Sequence, residues 1–145
     1  MFQNILCPVD GSDAARNAAD QAIEMATEID ASVHFLYVIE SKPTFTRVGL
    51  AGLEDELVSE KYESHAEQTV RDLVRRADES GVKAVSAVKN GQPYAKIVEY
   101  AENNAIDVIV IGAHGYDWGG VSGAVLGSTT ERVARRAPVS VLVAR

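Results

Sequence analysis

The apolar residues of this chain fall into two alternating kinds of run. Phe2–Val9, Ala31–Ile39, Val82–Val88, Ile106–Ile111 and Val139–Ala144 are short, mostly β-branched, and predict five strands. Between them, apolar positions recur at three- and four-residue steps. Ala15, Ala18, Ala22, Met25, Ala26 and Ile29 mark one face of a helix over Ala14–Ile29. Leu57, Tyr62, Ala66, Val70, Leu73 and Ala77 mark a longer one over Leu53–Ser80. Ile97, Val98 and Ala101 define a third from Pro93 to Asn103, and a fourth spans Thr129–Ala137. The second strand is apolar almost throughout, as strands covered on both faces of a parallel sheet are. Strand and helix in strict alternation predict one doubly wound α/β domain over residues 1–145.

The punctuation agrees with the pattern. Ser12 or Asp13 is placed to cap the first helix, and Gly81 to close the second as its C′ residue. Asn90-Gly91 is expected to turn the chain, and Pro93 suits a first helical position. Ser128-x-x-Glu131 has the form of a capping box, and Pro138 stops the last helix. Glu67–Arg71 and Asp72–Arg76 are spaced as i,i+4 ion pairs on the wet side of the long helix. Glu40–Gly52, broken by Pro43, Gly49 and Gly52, reads as a loop.

Charge and composition narrow the function. A net charge of −7 argues against a nucleic-acid binder, which would show a basic face. No apolar run approaches the ~20 residues that a membrane span requires, and no secretory segment opens the chain, so a cytoplasmic protein is expected. Cys7, the single cysteine, can form no internal disulfide and sits in an apolar run, so it reads as a core residue.

Candidate chemistry concentrates between Gly112 and Ser128. Six of the 11 glycines fall there, between the fourth strand and the fourth helix. Glycine lets backbone N–H groups approach an anion closely, and a helix start adds unpaired donors and partial positive charge. The stretch therefore reads as a phosphate cradle, with a merely mobile loop as the alternative. In open α/β sheets ligands bind beyond the carboxyl ends of the strands, where the winding reverses. Pro8–Ser12 after the first strand would face the cradle, with Val38 and Ile39 walling a planar base. Asp10 could coordinate a metal ion, as could Asp117, or Asp10 could be only a turn residue.

The cradle is of neither common kind. No Lys follows Gly127, and no G-x-G-x-x-G follows the first strand. No Lys or Arg lies between Lys96 and Arg132, so backbone donors, the Ser128 and Thr129 hydroxyls and a metal ion would hold the phosphates. His114 lies inside the cradle and could donate to a phosphate, whereas His34 and His65 read as structural or solvated. No residue is spaced to pair with His114 in a nucleophilic triad. Trp118 is expected to pack on the fold, a ligand or a partner.

These residues resemble the universal stress protein family over essentially the whole length. The likeness is carried by Ile5-Leu-Cys-Pro-Val-Asp-Gly-Ser12, Gly91-x-Pro93, Asp107-Val-Ile-Val-Ile-Gly-Ala-His-Gly115, Leu126-Gly-Ser-Thr-Thr-Glu-Arg-Val133 and Ala137-Pro-Val-Ser-Val-Leu-Val143. The family's ATP-binding branch has G-x-x-G, nine residues, then G-[ST]. Here Gly112-x-x-Gly115 and Gly127-Ser128 are separated by 11 residues, two more than the pattern. The resemblance implies a five-stranded parallel sheet of order 3-2-1-4-5 with four helices, and ATP or another adenine nucleotide, with Mg²⁺ or Mn²⁺, as ligand. It implies Pro8, Val9, Asp10 and Val38 around the adenosine, and Gly112, Gly115, Gly127, Ser128 and Thr129 around ribose and phosphates. A homodimer through Val139–Val143 is implied too, and a bare apolar edge strand would suit pairing. The function so implied is stress-response regulation by a binding protein. The alternatives are a partner-binding module without nucleotide and a slow ATP hydrolase, for which no general base or loop cation is evident.

Overall fold

A computed structural model describes residues 2–40, 52–114 and 126–145; for 52–59 only the backbone is described. Nine elements follow one another in the expected alternation: β1 (Asn4–Val9), α1 (Asp13–Ile29), β2 (Ser32–Glu40), α2 (Gly52–Glu79), β3 (Ala84–Gly91), α3 (Pro93–Asn103), β4 (Val108–Gly112), α4 (Ser128–Arg136) and β5 (Ser140–Ala144). The five strands form one sheet in the order β3-β2-β1-β4-β5, with every pairing parallel. The chain winds outward from β1 through β2 to β3, then crosses back to β4 beside β1. The winding reverses between β1 and β4.

The sheet alternation sorts the core into two layers. Ile5, Cys7 and Val9 of β1 with Val33 and Phe35 of β2 pack on one side against Ala18, Ala22 and Ala26 of α1 and Val70, Leu73 and Ala77 of α2. Leu6, Leu36, Ile109 and Ile111 face the other side, against Ile97 and Ala101 of α3 and Val133 of α4. Alanines let α1 lie close on the sheet. Cys7 is fully buried, and burial, with the Asp20 charge behind it, pushes its thiol far up, so it stays an inert core group.

The ends of the helices follow local chemistry. The Ser12 hydroxyl accepts from the Ala15 N–H at 3.1 Å and caps α1. At the end of α2, Gly81 takes φ +75°, its N–H bonds Asp78, and the Val82 N–H bonds Ala77 at 2.8 Å, which is the Schellman arrangement. Beneath the sheet, the Gln3 and Asn4 N–H groups donate to one Asp107 carboxylate oxygen at 2.8 and 2.9 Å and fasten the start of β1 to the approach to β4.

Several expectations shift. Asn90 and Gly91 do not turn the chain; they close β3, paired with Ile39 and Glu40, and the strand begins at Ala84, not Val82. Gly91 is needed there for another reason: its φ is +146°, a backbone conformation that L side chains rarely adopt. Tyr62 is exposed, although its spacing puts it on the apolar stripe of α2. Asp72 pairs with Arg75, and Arg76 reaches across to Asp20 of α1, so the expected Asp72–Arg76 pair gives way to an interhelical one. Leu57 and most of the Glu40–Gly52 loop fall outside the described side chains.

Candidate functional site

The carboxyl ends of β1 and β4 meet at the point of reversal, and two backbones touch there. A Cβ on Gly112 would lie 2.9 Å from the Ala14 carbonyl oxygen, so only glycine lets the end of β4 pass the first turn of α1. On the β1 side the chain leaves the sheet through Asp10. The Asp10 carboxylate accepts from the Ser12 N–H at 2.9 Å and forms an Asx turn, Gly11 turns the backbone at φ +83°, and α1 begins. The Tyr37 hydroxyl donates to the Asp10 carbonyl at 3.2 Å and steadies the turn from β2. Tyr37 in turn meets the His65 ring edge-on.

On the β4 side the chain passes Ala113 and His114 and returns at Leu126. The Gly127 N–H donates to the Ala113 carbonyl at 2.8 Å, which closes the two ends on each other. Gly127 also lies so near His114 that an added Cβ would be 3.1 Å from the His114 Cα. The Thr130 hydroxyl, buried, donates to the Gly112 carbonyl at 2.8 Å and ties the first turn of α4 to the end of β4.

The start of α4 differs from the expected capping box. The N-cap is Gly127, Ser128 is the first helical residue, and no side chain among the described residues caps the helix. Glu131, which a capping box would turn back to the helix start, pairs instead with Arg135 at 2.7 Å. The first helical bond runs from the Glu131 N–H to the Gly127 carbonyl. The N–H groups of Ser128, Thr129 and Thr130 therefore have no partner within the helix. Three donors and the positive end of α4 point toward the reversal point, which suits an anion.

Of the candidate residues, Pro8, Val9, Asp10, Gly112, His114, Gly127, Ser128 and Thr129 come together at this end of the sheet. Val38 stands one strand away on β2, partly buried against the α3–α4 layer. Ser128 is exposed and Thr129 partly so. Gly115, Asp117 and Trp118 fall outside the described residues. Thr130 and Tyr37, which hold both halves of the site, were not singled out as site residues. Thr130 is the third member of Ser-Thr-Thr, and Tyr37 is one apolar position among many in β2. Among the described residues no three His, Cys, Asp or Glu side chains stand together as a metal site. Two open grooves lie away from this end, one between α1 and α2 beside Asp20 and Arg76, the other between α2 and β3 beside Arg75 and Lys83.

The fold and these loops can be set against known proteins. The model of the universal stress protein family matches residues 1–145. The chain belongs to that family. A universal stress protein of Methanocaldococcus jannaschii is 36% identical over 146 residues, covering 100% of this chain and 83% of the relative. The solved universal stress protein UspA of Lactobacillus plantarum superposes with a TM-score of 0.83 at 31% identity, over 99% of this chain and 98% of that one. A more distant universal stress protein, from Archaeoglobus fulgidus and solved in complex with dAMP, shares the fold at a TM-score of 0.67 and 20% identity, over 100% and 98% of the two chains. The sheet order that the resemblance implies is the order found. No helix among the described residues of this universal stress protein is long and apolar enough to cross a membrane.

Proposed function

We propose that this universal stress protein binds ATP, or another adenine nucleotide, and serves as a nucleotide-dependent regulator in a stress response. One observation carries the reading: the uncapped first turn of α4, with the N–H groups of Ser128, Thr129 and Thr130, opens at the reversal point beside the Asp10 turn. The phosphates would lie on these donors, with Gly112, Gly115 and Gly127 allowing close approach and His114 within the cradle. The adenosine would extend over Pro8 and Val9 toward Val38. Mg²⁺ or Mn²⁺ would arrive with the phosphates, and Asp10 is the carboxylate at this end of the described structure that could meet it. A relative of the same fold solved with dAMP supports an adenine ligand. We read it as a binding protein rather than a hydrolase, since no Lys or Arg lies between Lys96 and Arg132 to offset charge developing on the phosphates.

The protein would work in the cytoplasm as a homodimer. β5 pairs with β4 alone among the described strands, and Leu142 on it is exposed, so a second copy could add its own β5 to that edge. Sedimentation equilibrium tests this: a dimer is expected, and a monomer at all concentrations would end it.

One observation favours a second reading, a partner-binding module without nucleotide. Close backbone contact requires glycine at 112 and favours it at 127 whether or not a phosphate is present. Equilibrium dialysis against ATP, with and without Mg²⁺, separates the two. Saturable retention is expected; no retention at millimolar ATP would leave the second reading standing.

A further inference from the structure

Tyr94 stands in the first turn of α3, its ring packed against the α3–α4 core layer. The guanidinium carbons of Arg132 and Arg136, one turn apart on α4, lie 5.1 and 5.2 Å from the centroid of that one ring. Stacking on an aromatic face restrains a guanidinium while its N–H donors, which lie in its own plane, remain available to a ligand. Like charges four residues apart on a helix repel each other, and an anion held by both would offset that repulsion. No carboxylate among the described residues answers it. Among the described residues Arg16, Arg75, Arg76 and Arg135 each form an ion pair with Asp or Glu, and Arg71, Arg132 and Arg136 form none, the last two side by side on α4. Glu131, beside them on α4, is held by Arg135. In a chain with 21 acidic and 14 basic residues, two adjacent arginines that both miss a carboxylate stand out from their surroundings.

We propose that Arg132 and Arg136, steadied by Tyr94, form a binding site for a phosphoryl group. Two planar forks can take a tetrahedral dianion from two sides, each with paired N–H···O bonds. A carboxylate offers one plane and one charge, and so satisfies one fork. The group has two possible sources. It is either the terminal phosphate of a nucleotide held at the start of α4, since Arg132 lies one turn beyond Ser128 and helical side chains lean toward the N-terminus, or a phosphate on a separate molecule. The site does not depend on the ATP reading.

The arginine Nε–Hε signals in ¹H–¹⁵N spectra read this residue by residue. Titration with inorganic phosphate at constant ionic strength is expected to shift the Arg132 and Arg136 signals saturably and to leave Arg16 and Arg75 still. Arg132→Gln with Arg136→Gln should weaken phosphate binding about tenfold or more, Tyr94→Leu should weaken it less, and Tyr94→Phe, which keeps the ring, should preserve it. ATP titrated into wild type and Gly127→Val distinguishes the sources. Shifts lost in Gly127→Val assign the group to a nucleotide in the cradle; shifts that persist assign it to a separate ligand. No shift at Arg132 and Arg136, or equal drift of every arginine, would overturn the site, and neither result touches the dialysis experiment on the cradle.

Discussion

The Thr130 hydroxyl donates to the Gly112 carbonyl at 2.8 Å, linking the last residue of β4 to the first turn of α4 from 18 positions away. Both groups are buried. The bond fixes where the uncapped start of α4 points, and so joins fold to function. Thr130→Val keeps the shape and removes the donor. It should cost about 1–2 kcal/mol of stability, read in urea unfolding, while Thr130→Ser should cost less. Nucleotide affinity should fall in Thr130→Val and largely return in Thr130→Ser.

The two described glycines of the cradle differ in their space. A Cβ on Gly112 meets the backbone oxygen of Ala14 at 2.9 Å, and one on Gly127 meets the His114 Cα at 3.1 Å. A helix carbonyl has little room to yield. Gly112→Ala should therefore destabilise by about 1–3 kcal/mol, as overpacking does, and Gly127→Ala by less. Thermal unfolding of both variants checks the order; equal or reversed losses would show that the close approach at Gly112 is not limiting.

Asp107 holds the sheet from below. Its one oxygen accepts from the N–H groups of Gln3 and Asn4, and its own N–H donates to the Asn4 carbonyl at 2.9 Å. Asp107→Ala should lose about 2 kcal/mol, since charge-assisted bonds exceed neutral ones. Hydrogen exchange at β1 amides should rise before exchange at β5.

His34 gives the stability a pH dependence. Its Nδ1 lies 2.8 Å from the Tyr100 hydroxyl and its Nε2 3.4 Å from the Asn4 side-chain oxygen. The Asn4 amide nitrogen donates to the Ala105 carbonyl at 3.3 Å, which leaves its oxygen toward the ring. Burial lowers the His34 pKa below its ordinary 6.5. The unfolded chain then binds the proton more readily than the folded one, so this contribution is full above about pH 6.5 and declines as the pH falls through and below that value. Urea midpoints measured from pH 8 to pH 5 should fall for wild type and fall less for His34→Gln.

Most of the architecture was legible because it rests on local signals. Five β-branched runs, the Ser12 cap, the Gly81 stop and the position of Pro93 each act within a few residues. The loop positions of Asp10, Gly112 and Gly127 could be read for the same reason. Contacts between distant residues were not legible. Nothing near Thr130 announces its bond to Gly112, and nothing near Tyr37 announces its hold on Asp10. Two local signals misled because stronger competitors were available in space. Glu131 had Arg135 one turn away and did not fold back as a capping residue, and Arg76 found Asp20 on α1 in place of Asp72. Asn90-Gly91 has turn chemistry, yet β2 continues to Glu40 and offers β3 a partner for both residues.

The central claim is that backbone donors at the start of α4 hold the phosphates of an adenine nucleotide. Ser128→Pro tests it by deleting one of those donors. Proline suits the first helical position, and Gly127 before it already has φ −63° and ψ 158°, the conformation a following proline prefers. Calorimetric titration of ATP with Mg²⁺ into wild type and Ser128→Pro, both confirmed folded, is the direct measurement. A saturable heat in wild type and affinity about tenfold weaker in Ser128→Pro is the result expected for one lost charge-assisted bond. Equal affinity in the two proteins, or no heat from wild type at millimolar ATP, would contradict the account.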